Sequence, residues 1–267
     1  MSNVFEAPID AVAALMREVA EKTILPRYQS LADSEIVEKA HDDVVTIADR
    51  ESEAMLAEGL AKILPEAAIV GEEAAHADDA VMDRRGADLC WIVDPLDGTN
   101  NFARGKPPFG MIIALAANGE TQAGWLWDPL NERLCHAEIG KGAFIDGTRI
   151  TARPTGEDKP VAAISTVFLN EEQRHQVQRN VAPYFRLVDI PRCAAEQYPR
   201  LALGVNDVSV FNRTLAWDHA AGVLWLNEAG GRAARLDGSP YRPDQDGTGL
   251  LAAANPALWD RLADCIP

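Results

Sequence analysis

This chain is short of positive charge. Lys and Arg total 25 against 41 Asp and Glu, a formal net charge of −16 over 267 residues. A surface poor in cations repels the phosphates of duplex nucleic acid, so that class of partner is disfavoured. An anionic small molecule stays open, because a bound cation reverses the field locally. Long apolar runs are missing too: residues 109–117 make a run of nine, against the ~20 that cross a bilayer. The opening Met1-Ser-Asn-Val-Phe-Glu-Ala-Pro has no basic stretch followed by an apolar one, so no secretory signal is expected and the chain reads as cytoplasmic. Cysteine is scarce. Cys90, Cys135, Cys193 and Cys265 stand far apart with no Cys-x-x-Cys and read as reduced, buried side chains. His41, His76, His136 and His175 fit no metal spacing, and no Gly-x-x-x-x-Gly-Lys-Ser/Thr loop occurs, which excludes the common nucleoside-triphosphate cradle.

What is present is alternation. Apolar residues at helical spacing run over 8–23 and 46–64, closed by Pro26 and Pro65. Short strands are expected at 67–70 and 89–93. Residues 109–117 and 122–127 flank Asn118-Gly119, the strongest hairpin signal in the chain, and Trp125 and Trp127 on the second strand read as core or interface. Further turns follow at Gly140-Lys141-Gly142 and Asp146-Gly147. From about 160, strands at 161–165, 186–189, 208–211 and 250–254 alternate with helices at 170–181, 194–203, 218–229 and 256–263. Pro154, Gly156 and Pro160 mark the change. Residues 1–150 read as an N-terminal α+β part with an antiparallel sheet and metal-binding loops. Residues 151–267 read as a C-terminal α/β part, packed with the first as one unit.

Chemistry concentrates in Trp91-Ile-Val-Asp-Pro-Leu-Asp-Gly-Thr-Asn-Asn-Phe102. A buried strand ends in two carboxylates three residues apart. Pro95 sets the turn, Gly98 allows close approach, and Thr99 starts a helix whose first N–H groups would face an anion. Alone, such a pair is an ordinary capping turn. Glu72 after one strand and Asp218 at the start of an apolar helix add carboxylates where α/β sites are built. Oxygen donors beside an anion site point to a hard divalent cation between them, Mg²⁺ above others. His219 reads as a solvated or capping residue, and Arg104 and Lys106 as loop cations that can steer an anion.

Gly71-Glu72-Glu73, Asp94-Pro95-Leu96-Asp97-Gly98-Thr99 and Trp217-Asp218-x-Ala-Ala-Gly222, preceded by Lys39-x-x-x-Asp43-x-Val45-Thr46-x-x-Asp49, resemble the inositol monophosphatase family of lithium-sensitive, magnesium-dependent phosphatases. The resemblance covers essentially the whole chain. It implies a layered αβαβα sandwich of the inositol monophosphatase/fructose-1,6-bisphosphatase type, a homodimer, and hydrolysis of a small phosphorylated metabolite by direct attack of metal-activated water. By the same resemblance, Glu72, Asp94 and the Leu96 carbonyl hold one Mg²⁺, and Asp94, Asp97 and Asp218 a second. Glu72 also faces a third, more hydrated ion. Thr99, paired with Asp43 and assisted by Glu72, activates the water, and the N–H groups of Gly98 and Thr99 hold phosphate oxygens.

Substrate recognition departs from the family pattern. The glutamate that contacts an inositol hydroxyl, seven residues before the helix-start aspartate, is Phe211 here, and the usual Gly-Ser pair is Arg192-Cys193. Phenylalanine accepts no hydrogen bond, and sites that read hydroxyls discriminate strongly. Cys193, Glu196, Phe211 and Arg213 are therefore expected to serve another alcohol: histidinol phosphate, 3′-phosphoadenosine 5′-phosphate or a sugar phosphate. A non-enzymatic regulatory binding protein is the other class, disfavoured by so much converged negative charge.

Overall fold

The computed structural model describes residues 6–40, 43–164 and 169–266, and only the main chain at 33, 39, 40 and 43. His41 and Ser165 lie outside the described residues. Helix α1 (Ile9–Val19) turns Val12, Met16 and Val19 inward, then passes through a π-turn over Ala20–Ile24 into a short 3₁₀ turn containing Pro26. A hairpin of β1 (Ile36–Ala40) and β2 (Asp43–Thr46), not expected from the sequence, leads into α2 (Ile47–Ile63). Thr46 caps that helix. Its Oγ1 accepts from Ala48 N (3.2 Å) while Asp49 Oδ2 accepts from Thr46 N (2.8 Å), a reciprocal box that satisfies helix-start donors. Strand β3 (Ala68–Gly71) runs directly into α3 (Glu72–Ala77), and β4 (Cys90–Asp97) is followed by α4 (Thr99–Ala103).

An antiparallel meander of β5 (Gly110–Ala117), β6 (Glu120–Asp128), β7 (Arg133–Glu138), β8 (Gly142–Ile145) and β9 (Thr148–Ile150) completes the first sheet. Asn118 and Gly119 take φ of 49° and 71°, the two left-handed positions of a type I′ turn. The sheet order is β3-β4-β5-β6-β7-β8-β9, and β3 pairs parallel with β4. The second sheet contains β10 (Val161–Ile164), β11 (Arg186–Val188), β12 (Val208–Phe211), β13 (Arg232–Arg235) and β14 (Leu250–Ala253), in the order β11-β10-β12-β14-β13. Its helices are α5 (Glu171–Gln176), α6 (Ala194–Ala202), α7 (Ala216–Glu228) and α8 (Pro256–Ala263).

The layers follow from which faces are apolar. Leu56 and Leu60 of α2 bury against Trp91, Trp125 and Trp127 on one face of the large sheet. Tyr198 and Leu201 of α6 and Trp225 and Leu226 of α7 fill the opposite face, in a cluster that also takes Leu250 and Ala252 from the small sheet. Trp259 and Leu262 of α8 cover the outer face of the small sheet. This is the expected αβαβα sandwich, with α6 and α7 shared by both sheets.

Candidate active site

A bulge brings the two aspartates of β4 together. Asp94 pairs with Ile112, and the next pair is Asp97 with Gly110, so three steps on β4 match two on β5. In a regular strand, residues three apart point to opposite faces; an extra residue re-aims the chain. Pro95 sits inside the bulge, where a ladder donor is not needed, and Leu96 N donates to Asp94 Oδ1 (3.0 Å). Asp94 and Asp97 thereby line one cavity of about 160 Å³, joined by Glu72 from the start of α3 and Asp218 from the first turn of α7.

The cavity concentrates negative charge. Burial pushes the Asp94 carboxyl well above the usual range, and Glu72, Asp97, Asp218 and Asp49 push it further. Burial raises Asp97 as well, opposed by donors at the start of α6, where Ala195 N donates to Asp97 Oδ2 at 2.6 Å. The Cys193 thiol also hydrogen-bonds Asp97. Cys193, the residue before α6, makes no side-chain cap, so Asp97 supplies one from another element. It faces the cavity and caps a helix at once.

Thr99 stands on a fixed turn. Gly98 has φ +83°, and a Cβ there would come within 2.9 Å of the Pro108 carbonyl oxygen, so only glycine fits. Thr99 Oγ1 lies 3.0 Å from Asp49 Oδ1 and 2.9 Å from the Leu96 carbonyl; its one proton serves either acceptor in turn. Asp49, buried in the first turn of α2, has its carboxyl raised to about 7. Burial is the main cause, opposed by hydrogen bonds from Thr46 and reinforced by Glu72 and Glu73. The family resemblance implies Asp43 as the partner of Thr99, and the Asp43 side chain lies outside the described residues. The partner found is Asp49, which was named in the N-terminal motif and given no role. Its signal was there to read: Thr46-x-x-Asp49 is a capping-box spelling.

The model of the inositol monophosphatase family matches residues 6–266. The chain belongs to this family. The inositol-1-monophosphatase of Caulobacter vibrioides is 32% identical over 96% of this chain and 98% of its own length. That of Bacillus subtilis is 31% identical over 80% and 81%. Nus factor SuhB of Escherichia coli is 28% identical over 94% and 92%. The structure of the extragenic suppressor protein SuhB from Bartonella henselae superposes with a TM-score of 0.81 at 27% identity, covering 97% of this chain and 98% of that one. This inositol monophosphatase family member is a phosphoric monoester hydrolase.

Several side chains of the phosphatase stand elsewhere than the sequence implied. Cys193, Phe211 and Arg213 do line the cavity, as does Arg192. Glu196 does not: one oxygen accepts from Arg133 Nη2 of β7 (2.6 Å) and the other from Arg200 Nε (2.7 Å). A carboxylate clamped by two guanidiniums serves packing, not substrate. His219 is neither solvated nor a cap. It is 2% exposed, with Nδ1 2.8 Å from Tyr198 Oη and Nε2 3.1 Å from the Arg213 carbonyl, and burial lowers its pKa to about 4. Arg104 and Lys106 are exposed and do not line the cavity. Asp244-Gln-Asp246-Gly-Thr248 spells a phosphate-accepting aspartate motif. Yet Asp244 is paired with Arg242 and Asp246 with Arg85, and neither lines the cavity.

Among the described residues, no three His, Cys, Asp or Glu side chains draw in around one point to hold a metal ion. The carboxylates instead ring an open cavity. That donor set, oxygen throughout, fits a hard cation that keeps several waters and takes one or two carboxylates, which is the habit of Mg²⁺. No described helix is long and apolar enough to cross a membrane.

Proposed function

We propose that this chain hydrolyses a small phosphomonoester in the presence of Mg²⁺, transferring the phosphoryl group directly to water. The observation that carries the reading is Thr99 Oγ1, held between Asp49 Oδ1 and the Leu96 carbonyl, on the wall of a cavity ringed by Glu72, Asp94, Asp97 and Asp218. Glu72, Asp94, Asp97, Asp218 and the Leu96 carbonyl would hold two or three cations. Bound there, the cations supply the positive charge that admits a phosphate among carboxylates and lower the pKa of water.

The protein groups divide the remaining work. Thr99 Oγ1 accepts a proton from the attacking water as it passes its own to Asp49 Oδ1. A buried carboxylate 3.0 Å from Thr99 Oγ1 is placed to receive that proton. The Gly98 and Thr99 N–H groups hold phosphate oxygens, and the alcohol lies toward Phe211, Arg213 and Arg192. The bond from water oxygen to phosphorus forms, the ester P–O bond breaks, the leaving oxygen takes a proton from solvent, and Asp49 returns the proton it received to solvent.

Phosphate release from p-nitrophenyl phosphate and inositol 1-phosphate at saturating Mg²⁺ tests this reading. Asp94→Asn is expected to abolish turnover in a folded protein, and full activity in that variant refutes the assignment. The SuhB relatives, titled Nus factors, favour a second reading, a regulatory protein. Absence of release from every phosphomonoester would support it.

A further inference from the structure

Helix α3 has no cap in its own sequence. It follows β3 without a loop, its cap position is Gly71, and its first residue is Glu72. The donors at its start are met from another helix. Glu53 of α2 accepts from Glu73 N on Oε2 (2.7 Å) and from Ala74 N on Oε1 (2.8 Å). Both carboxylate oxygens are thus engaged by the two N–H groups that follow Glu72. Hydrogen bonds to a carboxylate are roughly twice as strong as neutral ones, and negative charge at a helix start is favoured by the helix dipole. A Cβ on Gly71 would come within 2.5 Å of Glu53 Oε2. The missing side chain at position 71 is what lets the carboxylate reach the helix.

The register of the sheet ties this contact to the cavity. Gly71 pairs with Val93 across the parallel β3–β4 ladder, so Glu72 leaves the sheet beside Asp94, and both carboxylates line the cavity. Glu53 follows Asp49 by four positions on α2, and residues four apart share one helix face. Asp49 Oδ1 accepts from Thr99 (3.0 Å), while Glu53 accepts from the start of α3. A single turn of α2 therefore fixes the partner of Thr99 and the backbone that carries Glu72. The other end of α3 is held as well: the His76 ring lies 5.9 Å from that of Trp217, the residue before Asp218. Glu53 itself does not line the cavity. It faces a groove on the other side of α3, with Arg50 and Ala77.

We infer that Glu53 is a positioning residue for the cation site: by holding the first turn of α3, it sets where the Glu72 carboxylate stands relative to Asp94. The inference rests on the phosphatase reading, in which Glu72 and Asp94 hold a cation. Glu53 touches neither the cation nor the substrate and acts through Glu72 alone. A carboxylate binds a cation well only when its own backbone is held still. Groups that orient the ligands of a metal are commonly worth about 10- to 100-fold in affinity.

The test measures Mg²⁺ affinity by calorimetry, and p-nitrophenyl phosphate hydrolysis against Mg²⁺ concentration, in Glu53→Ala, Glu53→Gln and Gly71→Ala. Glu53→Ala removes both acceptors and the charge; it is expected to weaken Mg²⁺ binding about tenfold or more, with kcat at saturating Mg²⁺ within about threefold of the parent. Glu53→Gln keeps one acceptor oxygen and is expected to weaken binding by about threefold. Gly71 has φ −103°, which alanine adopts freely. Gly71→Ala keeps the Glu53 charge but pushes its carboxylate off the helix start, and is expected to match Glu53→Ala. Parental Mg²⁺ affinity in Glu53→Ala overturns the inference. Parental affinity in Gly71→Ala overturns it too, because the charge of Glu53 would then act at a distance and not through the cap. So does a fall in kcat at parental Mg²⁺ affinity. If Glu53→Ala does not fold, the other two variants decide by the same criteria. No phosphate release by the parent overturns the phosphatase reading, while the calorimetry still decides whether Glu53 governs the cation site.

Discussion

Asp49→Asn is expected to make the cation-free protein more stable and the Mg²⁺-loaded protein less active. The Asp49 carboxyl has its midpoint raised from 3.8 to about 7. At about 1.36 kcal/mol per pH unit, that displacement corresponds to about 4 kcal/mol. Because the folded midpoint lies above the unfolded one, the associated stability is fully present below about pH 3.8 and is lost as pH rises through about 7. Asparagine has no charge to bury and escapes the loss. Against this stand the hydrogen bonds on Asp49 Oδ2 from Thr46 N (2.8 Å) and Oγ1 (2.6 Å). An amide keeps a single acceptor oxygen, so some of these are forfeited at a cost of about 1–2 kcal/mol.

The net expectation is a variant about 2 kcal/mol more stable than the parent near pH 8.5 in chelator, and no more stable than it near pH 5. Urea unfolding at the two pH values measures the difference. Turnover at saturating Mg²⁺ is expected to fall by about 10²-fold or more, because Thr99 loses its proton acceptor. A stability difference that is the same at both pH values refutes the electrostatic reasoning, and a variant with parental kcat refutes the role given to the Thr99–Asp49 pair.

Three further substitutions probe the scaffold. Glu196→Gln removes the ion pairs to Arg133 and Arg200; about 1 kcal/mol of stability should go, with kcat/KM within twofold, and a large kinetic loss would restore Glu196 to the site. Asp207 is buried and accepts from Thr155 N (2.8 Å), Thr155 Oγ1 (2.5 Å) and Val161 N (2.7 Å), so Asp207→Asn turns a donor toward donors and should cost about 2–4 kcal/mol in urea unfolding. Gly222→Ala sets a methyl into the Tyr198 ring, which should cost about 1–3 kcal/mol and raise KM by displacing His219 from the Arg213 carbonyl; an unchanged Tm would show that Tyr198 yields freely.

What could be read from the sequence was what is local in it. Asp94 and Asp97 share one stretch with Pro95 and Gly98, and their spacing announced the turn that the bulge provides. Asn118-Gly119 announced its hairpin in the same way, and the start of α8 at Pro256 was read to the residue. Long-range pairings were illegible. Thr99 meets Asp49 across 50 positions and Arg133 meets Glu196 across 63. Neither residue of a pair carries a mark of the other. His219 looked solvated because a helix start usually is; Tyr198, 21 positions earlier, buries it. The hairpin Ile36-Val-Glu-Lys-Ala40 and Asp43-Val-Val-Thr46 has too weak an alternation to stand out.

The shortage of positive charge acquires a geometry. Glu72, Asp94, Asp97 and Asp218 line the same cavity as Arg192 and Arg213, and Asp49 adds to the charge felt by Asp94. Without cations, the carboxylates that stay ionised repel a phosphate, since like charges a few ångströms apart in a weakly screened site oppose each other by several kcal/mol. Removing divalent cations should therefore abolish phosphate binding itself, beyond slowing the chemistry. Calorimetric titration of inorganic phosphate into the chelated protein should show no binding, and titration in Mg²⁺ should restore it. Equal affinity in the two conditions would refute the claim that cations admit the phosphate.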